Sequence, residues 1–183
     1  MSSNLESLPA LGAEGAVHVV VETPRGSSSK FRYDTELEAI TLSRPLPAGM
    51  MYPADWGFVP STLAADGDPL DALVIWEGTS YPGVVLQCRL IGALEVEQAN
   101  AVTRVRERND RLIAVPLESV TMESVQSVHD LSERTRAEFQ HFFAAAVTCE
   151  HKDLKILGWL GPDEAARLLQ MAMTQMARVA RST

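Results

Sequence analysis

Cysteine is almost missing from this chain: Cys88 and Cys149 are the only two in 183 residues. Thiols so far apart, each among apolar neighbours, make no disulfide framework. They read as small buried hydrophobes of a reducing compartment, which points to the cytoplasm. Histidine is also scarce, and His18, His129, His141 and His151 are not spaced as a metal set. No apolar run approaches the ~18–20 residues of a membrane span, and Met1 to Ala16 has neither the basic start nor the apolar centre of a signal peptide. Basic charge is short as well, with 16 Lys and Arg against 24 Asp and Glu and a net charge of −8. That balance excludes the basic footprint of non-specific nucleic-acid binding. No nucleophile elbow and no phosphate-cradling glycine loop occurs, so a covalent phosphoenzyme has no support.

What is present suffices for one compact domain. Hydrophobic residues make up 46% of the sequence, enough for a proper core at this length. Residues 1–16 are small and polar and read as a loose N-terminal arm, with a single domain over 17–183. Short β-branched runs predict strands over 17–23, 30–34, 39–42, 72–76, 84–97 and 111–115, the long one bending at Gly92. Segment 99–110, with Arg104, Arg106 and Arg108, reads as an exposed loop. Three-four spacing of Leu131, Thr135, Phe139, Phe142, Phe143 and Ala146 predicts a helix, with Asp130 and Glu133 as its capping pair. A second helix starts at Gly161-Pro162-Asp163-Glu164 and presents Ala166, Leu169, Met173, Met176 and Ala180 as an apolar stripe. Strands first and helices last give an α+β class: a small antiparallel β-barrel with two C-terminal helices.

The most informative run is Asp66-Gly67-Asp68-Pro69-Leu70-Asp71, followed by the apolar Ala72 to Trp76. Gly and Pro turn the chain and hold three acids at a strand entrance. Clustered carboxylates with water are what a hard cation such as Mg²⁺ prefers. Alone, such a turn is more often merely solvated. Upstream, however, lies Tyr52-Pro53-Ala54-Asp55-Trp56-Gly57-Phe58-Val59-Pro60, and Glu22, Lys30 and Arg44 sit on three short strands.

Together these residues resemble the soluble family I inorganic pyrophosphatases. The likeness runs from about 17 to 159, through Arg89-Leu90-Ile91-Gly92, Ala114-Val115-Pro116, His141-Phe142-Phe143 and Gly158-Trp159. It implies a five-stranded, OB-like barrel and Mg²⁺-dependent hydrolysis of pyrophosphate to two phosphates, commonly by a homohexamer. It further implies that Asp66 and Asp71 hold Mg²⁺, that Asp68 accepts a hydrogen bond from the attacking water and also serves the metals, and that Glu22 holds metal through water. Lys30, Arg44, Tyr52, Trp56 and Arg111 take the substrate-binding positions.

Several positions depart from the family pattern. Arg32 stands where the family has an acid, and Trp56 replaces a Tyr. Gln98 and Asn109 replace two Asp, with extra residues between them, and Arg111 replaces a Lys. A phosphate-binding Tyr-Lys pair is missing where the helix runs on through Ala146 and Val147. Fewer metal-side charges imply weakened hydrolysis. The alternative is a diverged phosphatase or non-catalytic phosphate binder in which Arg32, Arg104, Arg106 or Arg111 replaces metal charge. As for Asn109 and Asp110, alternation along a strand points Asn109 inward and Asp110 outward.

Overall fold

The computed structural model describes residues 4–99, 105–147 and 153–181. Nine strands and two helices follow in order: β1 Val17–Thr23, β2 Ser29–Asp34, β3 Ala39–Pro45, β4 Asp55–Val59, β5 Leu70–Val74, β6 Val85–Ala99, β7 Arg106–Arg108, β8 Arg111–Pro116, α1 Glu133–Ala146, β9 Lys155–Leu160 and α2 Pro162–Ala180. Five of the strands close a ring, β1-β4-β5-β8-β6, through the β1–β6 pairing. Four of its joints are antiparallel; β5 and β8 run parallel, with Ala72 opposite Leu112. Strands β7 and β9 both add to β6, and β2–β3 form a separate hairpin.

The wall of β5 and β8 is buried on both faces, which explains its unbroken apolar runs. Leu73, Ile113 and Val115 face Phe139, Phe142 and Phe143 of α1. Ala72, Val74, Leu112 and Ala114 join Ala165, Leu169 and Ala172 of α2. The length of β6 is possible because Gly92 takes φ +155° at a register shift. A Cβ there would collide with the Leu160 carbonyl and the Val128 side chain, so the bend needs glycine.

Some details differ from the sequence reading. β4 and β9 lack clear alternation and are recognisable only by their pairing with β1, β5 and β6. Part of segment 99–110 is strand: β7 pairs with β6, while Arg104 lies outside the described residues, as do Cys149 and His151. Helix α1 is capped by Ser132, whose hydroxyl accepts from Thr135 N–H; Asp130 instead closes a capping box with Ser127 one turn earlier. The buried face of α2 is Ala165, Leu169 and Ala172, whereas Ala166 and Ala180 are exposed. Residues 4–16 are pinned: Leu5 N–H donates to the Tyr33 hydroxyl at 3.2 Å, Ser61 N–H to the Glu6 carbonyl at 2.8 Å, and the Ser61 hydroxyl to the Leu8 carbonyl at 2.8 Å. Cys88 is a buried free thiol, and burial pushes its pKa up to about 12.

Candidate active site

Three pieces of chain meet at one rim of the ring: the acidic turn entering β5, the start of β8, and the β2–β3 hairpin. The turn is shaped by Gly67 at φ +92°, by Ala64 N–H on the Asp68 carbonyl at 2.8 Å, and by Asp68 N–H on Asp66 Oδ1 at 3.3 Å. Buried Thr62 anchors its exit, accepting from Leu70 N–H at 2.9 Å. Asp68 is left exposed, with Asp66 and Asp71 partly covered.

The hairpin is hung on β1 by side chains. Glu22 Oε1 accepts from Tyr33 N–H at 2.7 Å, and Thr23 Oγ1 exchanges two bonds with the Phe31 backbone. Lys30 and Arg44 thereby stand opposite each other. Lys30 Nζ lies 5.7 Å from the Trp56 ring centre, and one Arg44 Nη2–H reaches the Ala146 carbonyl at 3.1 Å, at the negative end of α1. The replaced positions Ala146 and Val147 are buried, so this helix end offers Arg44 a backbone acceptor and apolar surface.

Arg111 occupies the floor. It is 4% exposed, with its guanidinium 4.5 Å from the Phe143 ring and 5.7 Å from Trp56. Tyr52 completes the aromatic wall, 4.9 Å from Phe142 and 6.3 Å from Trp56. Among the described residues, Nε and Nη1 of Arg111 have no hydrogen-bond partner. Unmade charged bonds in a buried place are costly; an anion seated on the floor would satisfy them.

Electrostatics tie the groups together. Burial pushes Asp71 up to about 6, with Arg111 and Lys30 pulling it down and Asp66 and Asp68 raising it. Burial likewise raises Glu22 to about 7, against the Tyr33 bond and with help from Asp71. Asp66 is raised by burial and by Asp68. Burial lowers the Arg111 pKa, opposed chiefly by Asp71. Carboxylates held together at this cost are relieved by a dication, and an all-oxygen donor set suits a hard one. Among the described residues no three acids converge as a ready-made cage. Mg²⁺ does not demand one, since it keeps waters and takes one or two carboxylates with substrate oxygens.

Other expected groups lie elsewhere. Arg32 is exposed. Arg106 pairs with Asp153 at 2.7 Å and Glu97 at 3.3 Å; Arg108 pairs with Asp110 and Glu95, each at 2.8 Å. Among the described arginines of that segment, neither turns toward the acidic turn, against the idea that they replace metal charge. Gln98 and Asn109 are buried, and Asn109 N–H donates to the Val96 carbonyl. Asp110 is buried and committed to the backbone and to a neighbouring cation, accepting from Val96 N–H at 3.0 Å and from Arg108. Asp55, 2% exposed, accepts from Arg25 N–H and Trp76 Nε1–H, both at 2.7 Å. It is a structural acid. Two acids escaped the sequence reading: Glu6, whose pKa is raised by burial and by Asp68, and Glu107, which acts on Asp66. The alternation Arg106-Glu107-Arg108 was the available signal for the second.

Comparison with known proteins supplies the family and the fold. The family model described as inorganic pyrophosphatase matches residues 19–177. The chain is 41% identical to the inorganic pyrophosphatase of Thermus thermophilus over 161 residues, 86% of this chain and 89% of that protein. It is 35% identical to that of a Nostoc species, covering 93% and 97%. The crystal structure of the Thermus thermophilus inorganic pyrophosphatase superposes with a TM-score of 0.87 at 37% identity, over 96% of this chain and 99% of that one.

Proposed function

The chain belongs to the inorganic pyrophosphatase family, and from that premise we propose how its own residues carry out the hydrolysis of pyrophosphate to two phosphates. The observation that carries the proposal is the rim itself: a buried guanidinium with two unmade hydrogen bonds, beside carboxylates lifted by burial and mutual repulsion. Such a place accepts an anion and its cations together.

Asp66 and Asp71 hold Mg²⁺, with Glu22 contributing through water. When bound, the metal polarises phosphoryl oxygens and lowers the pKa of a bound water. Exposed Asp68 accepts the proton-side hydrogen bond of the attacking water and orients it. Arg111, Lys30 and Arg44 bind phosphoryl oxygens and stabilise the charge that develops on the leaving phosphate. Tyr52 and Trp56 wall the site and exclude bulk water, with Arg111 and Lys30 held beside the Trp56 ring. Loss of family acids at Gln98 and Asn109, and of the Tyr-Lys pair at Ala146 and Val147, lowers turnover below that of a site that carries them. We also assign residues 17–183 to one domain, and the family's homo-oligomeric habit, a hexamer, to this chain. No described helix is long and apolar enough to cross a membrane, and a cytoplasmic setting suits the buried free thiol.

The test is phosphate release from pyrophosphate with and without Mg²⁺, beside a panel of phosphomonoesters and nucleotides. Metal-dependent release of two phosphates from pyrophosphate alone is expected. Tight, metal-independent anion binding without turnover would refute the proposal and favour a phosphate-binding homologue.

A further inference from the structure

Strand β6 continues past the ring along β7, and its pairing register is the same on either side of Asn109 and Asp110, which lie between β7 and β8. Leu94 pairs with Arg111, Asn109 N–H meets the Val96 carbonyl, and Glu97 and Gln98 pair with Arg108 and Glu107. Side chains on a strand alternate faces, so Glu107, Asn109 and Arg111 share one face with Gln98, Val96 and Leu94. That face is the site side at its Leu94–Arg111 end. Leu94 and Val96 pack in the α1 core beside Trp56, and Arg111 lies on the floor under Asp71. The opposite face carries the ion pairs Arg106–Glu97 and Arg108–Glu95. Glu107 is four residues from Arg111, about 13 Å along the strand, which brings it to the outer edge of the rim. Asp66 there lies within its electrostatic reach.

We propose that Glu107, carried in on the extra residues of the β6–β7 hairpin, is a metal-side carboxylate that replaces the acids lost at Gln98 and Asn109, holding Mg²⁺ through water on the Asp66 side of the rim. The inference rests on the metal assignment of the proposed function. Three observations support it: the common pairing register on either side of Asn109 and Asp110, the burial of Gln98 as the residue directly opposite, and the Arg111 donors that mark the same face as ligand-bearing where β8 begins. The lost acid has moved one strand across, from β6 to the strand paired with it.

Mn²⁺ binding to the full chain without substrate, followed by electron paramagnetic resonance and by calorimetry, tests this. Glu107→Gln raises the Mn²⁺ dissociation constant about tenfold, the scale of an outer-shell ligand, and leaves the metal-free melting temperature in place. Glu97→Gln removes a charge from the opposite face of the same hairpin and leaves Mn²⁺ binding unchanged. Gln98→Glu added to Glu107→Gln returns a carboxylate to the paired position and restores affinity. Wild-type Mn²⁺ binding that Glu107→Gln does not weaken overturns the role of Glu107 alone. Wild-type protein that binds no Mn²⁺ overturns the metal assignment and this inference together.

Discussion

Arg111→Met isolates the charge on the floor of the site from its packing. Methionine is unbranched and apolar, of nearly the same reach, and can lie between Phe143 and Trp56 where the guanidinium now sits 4.5 Å and 5.7 Å from the ring centres. What it removes is the cation beside Asp71 and the two N–H groups that lack partners. A charge-assisted hydrogen bond contributes about 1.5–3 kcal/mol. Two such bonds, not additive, correspond to a fall of about 10²–10³ in kcat/KM, the scale found when a preorganised donor is deleted. Stability moves the other way: buried donors without partners cost free energy, so the metal-free melting temperature of Arg111→Met holds or rises. Arg111→Lys restores charge without the fork and gives an intermediate rate. Phosphate release across a pyrophosphate series at saturating Mg²⁺, beside thermal melts, reads both quantities. Turnover within threefold of wild type would refute the role. So would a loss of activity that merely follows a fallen melting temperature.

Asp71→Asn weakens Mg²⁺ affinity and turnover. Asp55→Asn leaves Mg²⁺ affinity in place but sets an amide N–H against an N–H donor at Arg25 or Trp76, costing about 1–3 kcal/mol of stability; calorimetric Mg²⁺ titration and thermal melts separate the two. Asn109→Asp raises Mg²⁺ affinity, whereas Asp110→Asn lowers the melting temperature by several degrees through the Val96 and Arg108 bonds and leaves Mg²⁺ affinity alone; equal metal effects of the two would show the register to be misplaced. Without metal, Glu22 and Asp71 bind protons more tightly folded (about 7 and about 6) than unfolded (4.5 and 3.8). Their contribution is therefore full below the unfolded values and lost as pH rises through about 7. Melts in chelator fall over that window and Mg²⁺ flattens the slope, whereas a metal-free melting temperature that climbed with pH would contradict this account.

The parts of this fold that rest on local periodicity were legible in the sequence. The β-branched run at Val17–Thr23 and the Pro162 helix start stand where they were read. What depended on partners was not. Asp55–Val59 is buried at every position and so shows no alternation, and Arg106–Arg108 is too short to announce itself except through its pairing. At the site, the acidic turn was readable because Gly and Pro dictate its shape. That Asp110 and Asn109 take different partners followed from strand alternation. The bond of Asp110 to Val96 did not, because it joins Asp110 to β6 from fourteen residues away, and the same holds for the pairing of Glu107 with Gln98.

Strand β6 touches β1, β7, β8, β9 and α2, and this gives the chain a late decisive step as it leaves the ribosome. Until residue 88 has emerged, β4 is the only ring strand that can pair with β1, and its other edge is an open template for another nascent chain. Its ring partner begins at Val85, so closure spans more than sixty residues of intervening chain, and pairings that distant are slow. Substitutions in β6 therefore act on assembly as a whole, slowing folding and raising aggregation even where the finished protein tolerates them. The pinned residues 4–16 lay a short bridge, Leu11 to Val17, along β1 and cover part of it during that interval.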